Sequence, residues 1–216
     1  MKALLRNLFP AAAVLILIQL AAAQIPRLAP FSADVEISSR LGGRGPCDVA
    51  GNIFLTNGHM RMNFASAGHE SAIITDSATK TVDILMPQQQ MYMEHKAGDM
   101  PGRGPGNMTQ DLKAYDPQNP CANQPDITCK KIGVENVDGR SCDHWEITDK
   151  QGKTSNVWID QKLRFPIKTV SQNSTILLSN IHEAEPDASL FQIPAGYHKL
   201  DMGGMMPPGT MRPQQP

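Results

Sequence analysis

The chain has 216 residues, of which 40% are hydrophobic and 19% charged, and its formal net charge at pH 7 is −1. This length suits one large β domain or two small ones, and we favour one. The near-neutral balance excludes the strongly basic surface of a nucleic-acid-binding protein, and no stripe of Lys and Arg with interleaved aromatic residues is present.

The first 23 residues have the three regions of a signal peptide. Lys2 and Arg6 precede an apolar run over residues 11–20, and three alanines follow this run. A membrane-spanning helix needs about 20 apolar residues, and this run is shorter, so we predict cleavage after Ala23. The first cysteine is Cys47, too far away for lipidation. We therefore expect a soluble protein that is periplasmic or secreted.

Short alternating segments follow in chain order. Residues 31–38 alternate apolar and polar side chains, which indicates a half-buried strand. Asn57 and Gly58 separate two similar runs, and Asn-Gly is the strongest short signal for a hairpin. Further short runs, divided by turn residues, lie at 71–75, 81–86 and 90–94. The sequence thus predicts a meander of six strands.

A Gly/Pro-rich loop insertion over residues 96–125 interrupts the strands, with a weakly helical piece at 108–115. Strand patterns resume afterwards, at 129–136, 141–148, 155–160, 165–171 and 175–183. A short helical turn is predicted at 186–190, and residues 203–216 are predicted to form a disordered Met/Pro-rich tail. About eleven strands joined by tight turns favour an antiparallel barrel or sandwich with one or two short helices.

Four cysteines remain after the signal peptide, and an even number in an exported chain predicts two disulfides. Four cysteines allow three pairings. A two-residue turn at Asp138 and Gly139 would place Cys129 opposite Thr148 and Cys142 opposite Glu135, which disfavours a bond between Cys129 and Cys142. We favour Cys121 with Cys129 and Cys47 with Cys142. A four-cysteine zinc site is the alternative, but no CxxC pair is present.

Catalytic motifs are absent from the sequence. It contains no GxSxG, no HExxH and no Gly-rich phosphate loop, and its six histidines are scattered. We therefore expect no enzyme, no catalytic residues, no cofactor and no metal.

Methionine is the unusual residue in the composition. Twelve are present, including the close pairs Met60 with Met62 and Met91 with Met93. Thioethers suit Cu(I), so copper handling is one hypothesis. We favour the alternative, in which the flexible methionines line or fill an adaptable apolar interior.

A curved sheet with its apolar side turned inward can hold a ligand. The predicted inner face has thirteen candidate lining residues: Val35, Ile37, Ile53, Leu55, Met60, Met62, Phe64, Ile73, Ile84, Met91, Met93, Trp145 and Trp158. Core packing and ligand lining use the same residue types, so the pattern fits a hollow barrel and a packed one equally.

The closing third of the chain resembles a known family. Three segments and a leucine carry the resemblance: Val-Trp-Ile-Asp at 157–160, Leu163, Phe-Pro-Ile-Lys at 165–168 and Ser-Leu-Phe-Gln-Ile-Pro-Ala-Gly-Tyr at 189–197. They resemble uncharacterised exported bacterial domains grouped with the outer-membrane lipoprotein carriers LolA and LolB. The resemblance covers most of the predicted domain at 24–202. It implies a half-open antiparallel barrel around a cavity for acyl chains, with helices as a lid.

The resemblance predicts a periplasmic or secreted carrier-like protein that holds an apolar ligand, a lipid or a lipoprotein acyl chain. The four cysteines, the insertion, the tail and the lack of a long amphipathic lid helix depart from the carriers. The first alternative is therefore an envelope structural or interaction module, with a packed barrel and a protein partner. The second alternative is the methionine-rich copper-binding protein.

Overall fold

A computed structural model describes residues 28–40, 46–66, 68–96, 116, 118–122 and 126–200. The predicted signal peptide, the helical piece at 108–115 and the predicted tail at 203–216 lie outside the described residues. Within the described ranges, no helix has the length and apolar character needed to cross a bilayer.

Twelve strands form one sheet in the described part of the chain. The first six are β1 Phe31–Arg40, β2 Pro46–Leu55, β3 His59–Ser66, β4 His69–Asp76, β5 Thr81–Met86 and β6 Met91–Lys96. The other six are β7 Ile127–Val137, β8 Arg140–Asp149, β9 Thr154–Asp160, β10 Pro166–Val170, β11 Ser174–His182 and β12 His198–Lys199. Two 3-10 helices complete the fold, at Pro87–Gln89 and Ala188–Phe191.

The strand order is β12-β6-β5-β4-β3-β2-β1-β11-β10-β9-β8-β7. All neighbours are antiparallel except β12, which pairs with β6 in parallel. The two outermost strands, β12 and β7, do not pair with each other, so the sheet stays open. The prediction of a mainly β, half-open antiparallel barrel with one or two short helices is confirmed. The sequence pattern missed β12, because two residues are too few to show alternation.

Two meanders make up the sheet. Strands β2 to β6 form one and β7 to β11 form the other, each from hairpins between consecutive strands. Strand β1 joins them, because it pairs with β2 on one side and with β11 on the other. The pair of Ser32 with His182 therefore brings the start and the end of the sheet together.

The residues of two tight hairpin turns have the backbone angles that such turns require. Asp138 and Gly139 both have positive φ, 49° and 78°, as a two-residue hairpin turn with two left-handed positions requires. Gly58 has φ 108°, which a side chain would disfavour. Both predicted hairpins are confirmed.

One register prediction is confirmed and the other is wrong. Cys142 lies opposite Glu135 as predicted, but Cys129 lies opposite Ile147 and not opposite Thr148. A β-bulge between Lys131 and Gly133 inserts one residue into β7 and shifts the register beyond it by one.

The main core lies between the two meanders. It gathers residues from β1 to β3 with residues from β7 to β11 and the β9–β10 turn. Its buried members are Phe31, Ala33, Val35, Ile53, Leu55, Met60, Met62, Val137, Cys142, Trp158, Leu163, Phe165, Ile167 and Leu178. The Phe31 and Phe165 rings meet edge to face, with centroids 5.2 Å apart. This core explains the family signature at 157–167, because nearly all of those apolar residues are buried in it or beside it.

A C-terminal strap, residues 184–200, crosses the outer side of β3 to β6. The Leu190 carbonyl accepts a hydrogen bond from Arg61 Nη1 at 2.8 Å. Phe191 and Tyr197 pack on a second cluster formed by Ala72, Ile74 and Leu85. The strap ends as β12 beside β6. The family signature at 189–197 is therefore the part of the strap that lies on the sheet.

The short helix in the strap begins two residues later than predicted. Asp187 is its N-cap and accepts from the Ser189 N–H at 2.8 Å, so the helix begins at Ala188.

Of the two predicted disulfides, the one between Cys121 and Cys129 is confirmed. The prediction of a bond between Cys47 and Cys142 is wrong, because Cys142 is a free thiol that is fully buried in the main core. The Cys47 side chain lies outside the described residues. Burial also raises the pKa of the Cys142 thiol to about 11.

Candidate functional site: the inner face of the open sheet

One face of the sheet can be followed from strand to strand, since directly paired residues share a face. The pairs that start at the buried Ala33 form a row across six strands: Ala33, Ile53, Met62, Ile73, Ile84 and Met93. We call the face that holds this row the inner face. Every residue in the row is apolar.

The inner face continues into the second meander. Ile37 pairs with Ile176, and further pairs lead through Thr169 and Val157 to Trp145. On the opposite face, Glu36 pairs with Leu177, and the pairs lead to Lys168 and Trp158. Twelve of the thirteen predicted lining residues therefore share the inner face.

Trp158 is the exception, because the strand register places it on the face opposite to Trp145. Its partner is Lys168, next to a bulge in β10 between Pro166 and Lys168. Trp158 is buried with the main core, but its ring lies against polar groups. Lys168 Nζ is 4.5 Å from the ring centroid, and the His144 ring stacks on it at 4.3 Å.

Burial varies along the inner face. Val35, Ile53, Leu55, Met60 and Met62 are almost fully buried, in the three central strands. Six further lining residues are only half-buried: Ile37, Phe64, Ile73, Ile84, Met91 and Met93. The centre of the inner face is thus filled by core packing, and the flanks retain partly accessible apolar surface.

The inner side of β8 and β9 does not join the main core. Trp145, Val157 and Ile159 form a separate buried cluster, with Cys129 and Ile147 packed against it. The inner side of β8 and β9 is therefore buried separately from the inner side of β1 to β3.

A cleft of about 220 Å³ opens at one end of strands β7 to β9. It lies where β7, β8 and β9 meet the β10–β11 turn, and its lining residues are Ile127, Ile147, Asp149, Lys153, Thr154, Ser155, Ser171, Gln172 and Asn173. None of the thirteen predicted lining residues borders it. Its apolar wall, Ile127 and Ile147, shares the inner face with Trp145 by register.

Trp145 carries an unsatisfied polar atom. Its indole Nε1 is buried and has no hydrogen-bond partner among the described residues. Lys131 Nζ lies 5.7 Å from the ring centroid and forms an ion pair of 2.9 Å with Asp143. Burial favours a higher pKa for the Asp143 carboxyl, but the hydrogen bonds from Lys131 and Gln161 outweigh it and lower the pKa.

The outer face of β7 to β9 holds a polar cluster that the sequence pattern does not predict. Glu135 Oε1 lies 2.8 Å from His144 Nδ1, and His144 Nε2 lies 2.8 Å from Asn156 Oδ1. The second Glu135 oxygen accepts from Trp158 Nε1 at 2.7 Å. Hydrogen bonds from Trp158 and His144 lower the pKa of Glu135. These residues come from three strands, so only the pairing register could have revealed them.

Each polar group of this cluster already has a partner, which is typical of a structural network. Neither His144 nitrogen is free to act on a substrate. Among the described residues, no group of three or more His, Cys, Asp and Glu side chains is placed to hold a metal ion.

The methionine pairs have different surroundings. Met60 and Met62 are buried in the main core. Met91 and Met93 are half-buried on the inner face of β6, where Met91 pairs with Met86. Only the pair in β6 has accessible surface on the sheet.

Comparisons with known proteins agree with this architecture. A family described as a domain of unknown function, DUF4412, matches residues 47–164. No curated protein matches the chain.

Among solved structures, an uncharacterized conserved protein from Thermus thermophilus is similar at a TM-score of 0.53 and 8% identity. The match covers 80% of this chain and 90% of that one. The MucA/MucB complex of Pseudomonas aeruginosa is similar at a TM-score of 0.49 and 13% identity, over 85% of this chain and 63% of that one.

A LolA superfamily protein from Nitrosomonas europaea is similar at a TM-score of 0.40 and 10% identity, over 76% of this chain and 90% of that one. The predicted recognition of a domain of unknown function is confirmed by the family match. At these identities the likeness concerns the fold alone.

Proposed function

The chain belongs to the DUF4412 family of domains of unknown function, and we propose that it is an exported, carrier-like binding protein for an apolar ligand, a lipid or an acyl chain. The ligand lies on the inner face of the half-open barrel. Binding rather than catalysis is the proposed activity, and the periplasm or the exterior is the proposed location.

One observation carries the proposal: the half-buried apolar surface at the flanks of the inner face. Ile73, Ile84 and Met93 are direct neighbours on three strands and continue the row of the main core. Binding sites for small molecules are mostly apolar and concave. An acyl chain that covers this row would remove apolar surface from water, which stabilises the complex by about 25 cal/mol for each Å² buried.

An envelope interaction module is the second candidate, and edge strand β7 favours it. Ile132 and Val134 are the large apolar side chains that are exposed in the described part of the chain, at 45% and 58%. An exposed strand edge with apolar side chains can pair with an extended segment of another protein. In this reading the packed main core is only a scaffold.

The first experiment purifies the mature protein from the periplasm without refolding and applies native mass spectrometry and organic extraction. We expect a lipid in stoichiometric amount, or uptake of an added fluorescent fatty acid. A clean apo mass without uptake would contradict the carrier proposal and favour the interaction module.

Two lysine substitutions locate the ligand. Met93→Lys places a charge in the half-buried apolar row, and unpaired charges in apolar surroundings cost several kcal/mol, so fatty-acid affinity should fall at least about tenfold. Ile132→Lys is the matched control, because it replaces an exposed apolar residue on β7. Equal affinities for the two variants would place the ligand elsewhere.

A further inference from the structure

The inner face of β8 carries a feature that packing does not explain, a buried donor without an acceptor. Trp145 is 8% exposed, and in the described part of the chain its indole Nε1 has no hydrogen-bond partner. The other tryptophan shows the usual arrangement, since Trp158 Nε1 donates to Glu135 at 2.7 Å. A buried donor left unpaired costs about 1–3 kcal/mol. Buried donors in folded proteins normally have a protein, water or ligand acceptor.

The surroundings of Trp145 limit what this acceptor can be. Val157 and Ile159 pack with it, and Cys129 and Ile147 lie against the same cluster. The nearby carboxylate of Asp143 accepts from Lys131 and from Gln161, at 2.9 and 2.8 Å. The groups beside the indole are therefore apolar or already paired with each other.

A cleft opens further along the strand that carries Trp145, although Trp145 itself does not line it. Ile147 lies two residues from Trp145 on the same face of β8, about 6.6 Å along the strand, and it lines the cleft of about 220 Å³. Ile127 and Ile147 are the apolar part of the cleft lining and the other seven lining residues are polar, so the cleft suits a ligand that has both a hydrocarbon part and an acceptor oxygen.

We propose that Trp145 Nε1 donates a hydrogen bond to the carbonyl or carboxyl oxygen of an acyl ligand, which anchors the oxygen-bearing end of the chain beside the cleft. This inference rests on the proposed function and specifies its ligand: an acyl compound and not a plain hydrocarbon. The apolar part of the chain lies on the inner face.

The test compares three probes of similar chain length: laurate, methyl laurate and dodecane. Binding to the mature protein is measured for the wild type, for Trp145→Phe and for Trp158→Phe. Trp145→Phe keeps an aromatic ring but removes the unpaired donor. Trp158→Phe is the matched control, since its indole N–H is already bonded to Glu135 on the opposite face.

We expect the wild type and Trp158→Phe to bind both oxygen-bearing probes about five- to tenfold more tightly than dodecane, the value of one hydrogen bond. Trp145→Phe should lose this preference and bind dodecane as before. An unchanged preference in Trp145→Phe would overturn the inference, as would a preference for laurate alone, which would indicate recognition of charge. Equal binding of all three probes by the wild type overturns the inference and leaves the proposed function standing. Binding of none contradicts both.

A second readout does not depend on removing Trp145. In Trp158→Phe, Trp145 is the sole tryptophan of the mature chain, so its fluorescence reports its own surroundings. A new hydrogen bond to Nε1 should shift the emission to longer wavelength with laurate and methyl laurate but not with dodecane. The same emission with every probe would overturn the inference.

Discussion

Asp160 connects two turns of the second meander through one buried carboxylate. Oδ1 accepts from the backbone N–H groups of Lys162 and Leu163, at 2.8 and 2.6 Å, and Oδ2 accepts from Arg140 Nε at 2.6 Å. The side chain is 3% exposed. Because all its partners are fixed in space, this residue determines how the β9–β10 turn meets the β7–β8 hairpin.

We expect Asp160→Asn to lower the free energy of unfolding by about 3 kcal/mol, since it removes one partner of a buried ion pair. Glu183→Gln is the control, because Glu183 also bonds Arg140 but is more exposed, so its loss should destabilise the protein clearly less. Urea denaturation of both variants measures the difference. Equal losses of unfolding free energy would show that burial does not determine how much Asp160 contributes to stability.

The burial of Cys142 leads to a prediction about the reactivity of its thiol. Its pKa is raised to about 11, mainly by burial, so its thiolate is scarce at pH 8. Iodoacetamide should leave Cys142 unlabelled in the native protein and label it fully in denaturant without reductant, as peptide mass mapping can show. Labelling that requires a reductant would show that Cys142 forms a disulfide, contrary to the structure.

At the scale of the strands, most of the sheet could be predicted because alternation and turn residues are local properties of the chain. The Asn57 and Gly58 hairpin and the Asp138 and Gly139 hairpin illustrate this. The bulge at Lys131 to Gly133 could not be predicted, since an inserted residue is visible only against the partner strand. The same limit hid the position of Trp158: its face depends on pairing with Lys168 beside a second bulge.

The candidate site could be predicted in part for a related reason. Residues such as Met62, Ile73 and Ile84 share the inner face because each strand keeps its alternation. Their different burial could not be predicted, because it depends on which parts of the two meanders meet. The unpaired Nε1 of Trp145 is likewise a property of the assembled cluster.

Gly51 shows how closely two strands approach. A Cβ atom at this position would lie 1.8 Å from the Asn63 carbonyl oxygen, which is backbone and cannot rotate away. We expect Gly51→Ala to separate β2 from β3 and to destabilise the protein by more than about 4 kcal/mol, or to prevent folding.

The control for this prediction is Gly133→Ala, in the bulge of β7. A Cβ there meets nothing within 4 Å, so the variant should fold with nearly unchanged stability. Thermal unfolding followed by circular dichroism compares the two. A folded Gly51→Ala with the stability of Gly133→Ala would show that β2 and β3 can separate without loss.

At the scale of the whole molecule, the C-terminal strap covers the outer side of the first meander. We expect a chain that ends at residue 183 to expose Ala72, Ile74 and Leu85 and the free edge of β6, and therefore to bind a hydrophobic dye and self-associate. Light scattering and dye fluorescence measure both effects.

Phe191→Ala keeps the strap but weakens its contact with this cluster. It should reduce stability by about 2–3 kcal/mol, below the range for a fully buried Phe, without self-association. A monomeric truncated chain that binds no dye would show that the strap is not needed to cover this face.

The position of β1 between the two meanders has a consequence for the order of folding. Hairpins within each meander form between segments close in the chain, but the pair of Ser32 with His182 joins residues 150 positions apart. Contacts of such high sequence separation carry a large entropic cost and form slowly. The β1–β11 pairing should therefore close last, after nearly the whole chain has been made, and should set the rate of folding. A chain that is exported before it folds would benefit from this delay, because its early hairpins alone cannot complete the barrel.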